Sequence, residues 1–261
     1  MFQAPRTRIF RPPGCLGSSC GSLGKAAPKM GKRLKTATLV AFAGCLATAG
    51  VAIGANAVAI YGNSMNSSAK RSQVVQVSGR NCDRGGSQAA LRVTVGTRTD
   101  ECIYRTPVVG RDLEISATER LLSGTPRSIR KGMFLALNLR NGGGGMYQLA
   151  VFPLQRKFQL RKDLPDGTRK FLSVGKGVKR IRGINKATEL RLRAFNLTGT
   201  RDKDDCRLLV FIGGKRFAVV TDDNAGPLKG RYASVSVGSS RSAAGAVASF
   251  DDLLVRVPSP F

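Results

Sequence analysis

From residue 88 to residue 257 apolar and polar side chains alternate with a period of two, which restricts most of the chain to β-structure. In RDLEISAT, residues 111–118, Leu113, Ile115 and Ala117 share one face while Asp112, Glu114 and Ser116 share the other. ELRLRAF at 189–195 repeats the pattern, with Leu190, Leu192 and Ala194 set against Arg191 and Arg193. The same reading covers LRVTV at 91, MFLALNL at 133, MYQLAVF at 146, KFQLRK at 157, RKFLSV at 169, CRLLVFI at 206, KRFAVVT at 215, YASVSV at 232 and FDDLLVRV at 250. Turn-forming clusters divide these runs: NGGGG at 141, PDGT at 165, GKG at 175, GG at 213 and DDNAGP at 222. Only ATERLLSG at 117–124 leaves room for a helical turn. A single sheet of about eleven strands would leave one apolar face wet, so the expectation is an all-β, two-sheet antiparallel β-sandwich over residues 80–258.

Ahead of this region, residues 37–61 read ATLVAFAGCLATAGVAIGANAVAIY and contain no charge. As a helix rising ~1.5 Å per residue, this run is long enough to cross a hydrocarbon core of ~30 Å. Lys25, Lys29, Lys32, Arg33 and Lys35 crowd its N-terminal side. The positive-inside bias then makes residues 1–36 a basic cytoplasmic tail, 37–61 a transmembrane signal anchor, and everything beyond it extracytoplasmic. Two other readings stay open: cleavage near Ala55 to Ala59, which would release the protein, and lipidation of Cys45 in FAGC. Met30, in MGKRLK, is an alternative start to Met1. The Ser-rich stretch within residues 62–79 reads as a flexible spacer.

Three cysteines, Cys82, Cys102 and Cys206, fall in the extracytoplasmic part. In an oxidising compartment Cys82 and Cys102 are the local pair, and Cys206 is the odd thiol. Zinc is excluded by the spacing and by the absence of any His.

Lys and Arg number 43 against 16 Asp and Glu, a net charge of +27. Thirteen of the bases lie between residues 156 and 193, and Arg156, Lys157, Arg161, Lys162, Arg169 and Lys170, together with Tyr147, are the candidate binding residues. Nucleic acid is not the expected partner: only Phe158 and Phe171 interleave with the bases, and no groove-reading helix is present. Anionic cell-surface polymer or phospholipid headgroups fit better, and a merely solvated basic face is the plain alternative.

Asp251 and Asp252 open the last strand. Strict alternation places Asp251 with Leu253, Val255 and Val257 on the core side, where a carboxylate must be satisfied by backbone N–H groups or a cation. Loop-tying is the first reading, and a structural Ca²⁺ shared with Asp222, Asp223 or Asn224 is the second. No other cofactor is expected. The four Glu, at 101, 114, 119 and 189, show no carboxylate pair at glycosidase spacing, and Asp112 with Glu114 lies on the solvent side, so no catalytic residue is assigned.

The order MFLALNLR, Gly-rich turn, MYQLAVF and RKFQLRK, followed by ELRLRAFN, LLVFIGGKRFAVVTD, LKGRYASVSVG and FDDLLVRV, resembles concanavalin-like or laminin-G-like jelly rolls over residues 104–257. That group includes carbohydrate-binding modules, glucanases and a bacterial domain often labelled a 3-keto-disaccharide hydrolase. Gly213 stands where the family commonly has Asn, and the glucanase Glu-x-Asp-x-x-Glu signature is absent. The resemblance implies a sugar ligand. With it, the sequence reads as a membrane-anchored, non-enzymatic extracytoplasmic sandwich that binds a glycan or an anionic surface polymer. A sugar-active hydrolase of the same fold and a purely structural envelope domain are the alternatives.

Overall fold

A computed structural model describes residues 58–258 apart from 88–89, 98, 144, 198–204, 223–227 and 240–241. In chain order the elements are β1 (Val58–Asn63), α1 (Ser68–Ser72), β2 (Val75–Ser78), β3 (Cys82–Ser87), β4 (Ala90–Val95), β5 (Glu101–Val109) and β6 (Leu113–Leu121). There follow β7 (Met133–Gly142), β8 (Gly145–Phe152), β9 (Lys157–Asp163), β10 (Arg169–Gly175) and β11 (Thr188–Asn196). The series ends with β12 (Cys206–Ile212), β13 (Lys215–Asp222), β14 (Tyr232–Ser239) and β15 (Val247–Val257).

These strands form two antiparallel sheets. An eight-stranded sheet runs β13-β12-β11-β6-β15-β4-β3 with β1 also on β15, and a seven-stranded sheet runs β10-β9-β8-β7-β14-β5-β2. The alternation explains the layering. Leu190, Leu192 and Ala194 of β11 and Leu208, Val210 and Ile212 of β12 turn inward, and so do Leu135, Leu137 and Leu139 of β7 and Leu149 and Val151 of β8. Each such leucine, fully buried, contributes roughly 1.5–3 kcal/mol. Cys82 and Cys102 are bonded to each other, which ties the edge of one sheet to the other, and Cys206 is a buried free thiol.

Several expectations are corrected. Residues 62–79 are not a spacer: they carry the end of β1, α1 and β2, and Met65 and Val74 are fully buried in the core. Polarity misled the reading there, because Asn63 is itself buried, with its side chain spent on Tyr61 Oη, the Lys70 carbonyl and the Met65 N–H. Of the apolar run 37–61 only Val58–Tyr61 are described, and they belong to β1; residues 37–57 lie outside the described part. Among the described residues no helix is long and apolar enough to cross a membrane. ATERLLSG supplies the end of β6 and the turn after it rather than a helix.

In β15 the register shifts between Asp251 and Leu254, and Asp252 sits at φ 49°. This bulge gives one residue more than alternation allows, so Phe250 and Leu253 both face the core. Asp251 is thereby released from the core side, is partly exposed, and accepts the Asp252 N–H at 2.8 Å.

Candidate functional site

The inner face of the seven-stranded sheet is mostly apolar, with Lys162 as a buried exception, whereas its outer face carries a line of polar side chains. Register places Arg161 of β9 beside Gln148 of β8, Gln148 beside Asn138 of β7, Asn138 beside Ser234 of β14, and Ser234 beside Arg105 of β5. One polar side chain from each of five adjacent strands therefore forms a continuous row. Asn138 Nδ2 donates to Ser234 Oγ and Ser236 Oγ, both at 3.2 Å, and Asn141 Nδ2 donates to Ser234 Oγ at 3.0 Å. Gln148 Nε2 donates to Glu101 Oε1 at 2.6 Å. Phe134, Ala136, Ala150 and Phe152 form a small apolar cluster beside the row, and the Arg161 guanidinium lies 4.7 Å over the Phe134 ring.

Alongside the row, across the same five strands, opens a cleft of about 630 Å³, lined among others by Glu101, Arg105, Met146, Asp163, Arg169 and Tyr232. A second hollow of about 560 Å³ shares Tyr232 and the β7–β8 turn with it. Gly142 at φ 145° and Gly143 at φ 61° let that turn reverse without a side chain filling the mouth. Asp163 is held by Arg169 through Nε at 2.7 Å and Nη2 at 3.2 Å. The Arg105 guanidinium stacks 4.1 Å over the Tyr232 ring.

Four buried atoms along the row have no hydrogen-bond partner: Asn138 Oδ1, Gln148 Oε1, Arg161 Nε and Arg161 Nη2. The carboxylates flanking Arg161, Glu101 at 4.0 Å and Asp163 at 3.7 Å, give it charge balance but no hydrogen bond. Unmet buried donors and acceptors each cost roughly 1–3 kcal/mol. Burial pushes the Glu101 carboxyl up from its ordinary value; Ser236, the nearby Arg161 charge and Gln148 pull it partly back.

The sequence-derived binding residues are divided by this geometry. Arg161 is in the row, Arg169 is on the cleft rim, and Lys157 lies at the far end of the same face with its ammonium 5.3 Å over the Phe152 ring. Tyr147 and Lys162 point the other way, into the interior, where Asp222 takes the Tyr147 hydroxyl at 2.5 Å and the Lys162 ammonium at 2.7 Å. Lys170 is exposed opposite Lys162, and Arg156 is exposed in a turn at φ 46°. Asp222 and Asp251 are separated by three intervening strands, roughly 19 Å at sheet spacing, so they do not converge on one cation. Asp223 and Asn224 lie outside the described residues. Glu114, read as solvent-facing, is 1% exposed, held by Arg193 at 2.9 Å, Arg256 at 3.5 Å and Arg191 at 3.8 Å.

Sequence reasoning missed Glu101, Asn138, Gln148, Asp163, Ser234 and Ser236. The signal was parity: each has the opposite parity to an apolar neighbour that is unmistakably inward, such as Cys102, Leu137, Leu149 or Val235. The exposed aromatic on this face is Phe171, 56% exposed and paired across strands with Arg161.

No family model matches the chain, and no curated protein matches it either. Solved structures do. A galectin-like protein of unknown function from Bacillus subtilis aligns with a TM-score of 0.57 at 12% identity, covering 77% of this chain and 96% of its own. The carbohydrate binding module CBM66 from Bacillus subtilis gives 0.52 at 14%, covering 70% and 95%. A Bacillus licheniformis β-glucanase gives 0.51 at 8%, covering 76% and 98%. The described domain is thus a jelly-roll β-sandwich of the concanavalin-like and galectin-like kind.

Proposed function

We propose that the protein binds a glycan through the outer face of the seven-stranded sheet. The observation that supports this most is the open cleft on that face, where Glu101, Asp163, Arg105 and Arg169 stand together beside the Tyr232 ring. Its lining sets acceptors, the Glu101 and Asp163 carboxylates, next to donors, the Arg105 and Arg169 guanidiniums. A sugar hydroxyl both donates and accepts, so adjacent hydroxyls on one ring engage both kinds of group together. Phe171 supplies an apolar surface for a ring face at the edge of the same sheet. Two of the structural neighbours are a carbohydrate binding module and a glucanase, which agrees with such a ligand. The reading includes an extracytoplasmic domain, in keeping with the Cys82–Cys102 bond, tethered by the apolar run ahead of β1.

One observation favours hydrolysis as a second reading. Glu101 and Asp163 share this face on either side of Arg161, one carboxyl pushed up by burial and the other in a bidentate ion pair. Two carboxyls in unlike environments are the arrangement acid–base cleavage requires.

The experiment is a glycan-panel binding measurement on the full chain, with reducing-sugar release assayed in parallel. A ligand found this way should lose at least about tenfold in affinity with Arg105→Met or Tyr232→Ala, roughly 1.4 kcal/mol or more. Affinity unchanged in both variants places the ligand elsewhere. Sugar release abolished by Glu101→Gln, with binding retained, makes the protein a hydrolase.

A further inference from the structure

β10 and the crossover that follows it contain no carboxylate from Arg169 to Lys186, and together they hold seven Lys and Arg over that span. The crossover is pinned at two points. Val178 and Ile181 are buried in the core, and the Val178 N–H bonds the Arg156 carbonyl at 2.8 Å. The residues around the pins, Lys176, Lys179, Arg180 and Arg182, are exposed. Arg180 Nη1 donates to the Gly213 carbonyl at 2.7 Å, which brings the crossover against the β12–β13 turn and so beside the exposed Lys215 and Arg216. The Phe158 ring, which a side chain at Gly175 would strike, lies 6.1 Å from the Phe217 ring and so joins β9 of one sheet to β13 of the other. No carboxylate among the described residues forms an ion pair with any of these six cations. Six like charges on one pinned edge repel one another, and a multivalent anion relieves that repulsion.

We infer that this edge, formed by Lys176, Lys179, Arg180, Arg182, Lys215 and Arg216, is a second binding surface, for a linear anionic polysaccharide. It is separate from the cleft: Asp163 and Arg169 mark the cleft end of the β9–β10 hairpin, Gly175 the opposite end, and six residues of strand put them roughly 20 Å apart. A polymer fits it better than a lipid bilayer does. The apolar run enters the domain at Val58, which pairs with Val257 beside the Arg193 row, whereas Gly213 follows Ile212 at the Leu190 end of the same sheet, on its far edge. The cations therefore face away from the side on which that run joins the fold.

The test uses heparin as the probe polymer, with the full chain at about 0.15 M salt. Changing Lys176, Lys179, Arg180 and Arg182 together to Gln should weaken retention at least about tenfold, and Lys215→Gln with Arg216→Gln should weaken it independently. A control variant changes four exposed cations elsewhere, Lys70, Arg80, Arg111 and Arg127, to Gln. An equal loss in that control means net charge alone acts, and overturns the proposal. Tighter binding to phosphatidylglycerol vesicles or duplex DNA than to heparin, lost in the same edge variants, overturns the choice of partner. Melting curves of all variants exclude unfolding as the cause of a loss.

Discussion

Glu119 is the residue at which local sequence and environment disagree most. It shares the inward parity of β6 with Leu113, Ile115, Ala117 and Leu121, lies opposite Thr188 and Phe250, is 1% exposed, and neither carboxylate oxygen has a partner. Burial pushes its carboxyl well above the ordinary value of 4.5. The folded state thus holds this proton more tightly than the unfolded chain does. The contribution to stability is complete below the unfolded value and is lost as pH rises through the folded one. Glu119→Gln should leave the melting temperature at pH 4 unchanged and raise stability at pH 8 by about 1–3 kcal/mol; equal melting curves at both values of pH would show the carboxyl to be satisfied. The residue was legible as polar but not as buried, because TERLL offers helix and strand parity equally well. Lys162 is the converse case. In KFQLRK it shares parity with Phe158 and Leu160, so its inward position beside Asp222 was readable, and the charge of its neighbours drew attention away from the pattern.

At the scale of elements, runs with strong alternation were recovered as strands, while β1, β2, β3 and β5 were not. ECIYRTPVV has a proline and mixed parity, and CDRGGS and VQVS are short edge segments whose stability comes from partners rather than from their own pattern. The β15 bulge was invisible for a different reason: a single register shift changes no residue type, only which face it meets. Its left-handed residue, Asp252, makes a clear prediction. Asp252→Gly should fold with unchanged cooperativity, whereas Asp252→Val should cost about 1–2 kcal/mol, since a branched side chain is disfavoured at positive φ. Chemical denaturation of the two variants side by side reads the difference.

For the whole molecule, strand number and one-sided polarity were enough to specify two packed sheets, because nothing else covers that much apolar surface. Strand order was not readable, since register between distant strands is set by packing rather than by neighbours in sequence. The polar row suffered most from this: its five contributors come from β9, β8, β7, β14 and β5, and no local window shows them together. The domain boundary has a measurable consequence. A chain beginning at Val75 lacks β1, Met65 and Val74, each of the two core residues contributing roughly 1.5–3 kcal/mol, and should melt well below one beginning at Val58. Coincident scanning-calorimetry profiles would show that residues 58–74 add nothing. The pairing of Val58 with Val257 also fixes how the domain answers tension. The chain enters and leaves at neighbouring points on antiparallel strands, so a pull between its two ends opens β1 from β15 one rung at a time instead of shearing all rungs at once. Such a domain yields gradually from that seam and closes again when the load is released.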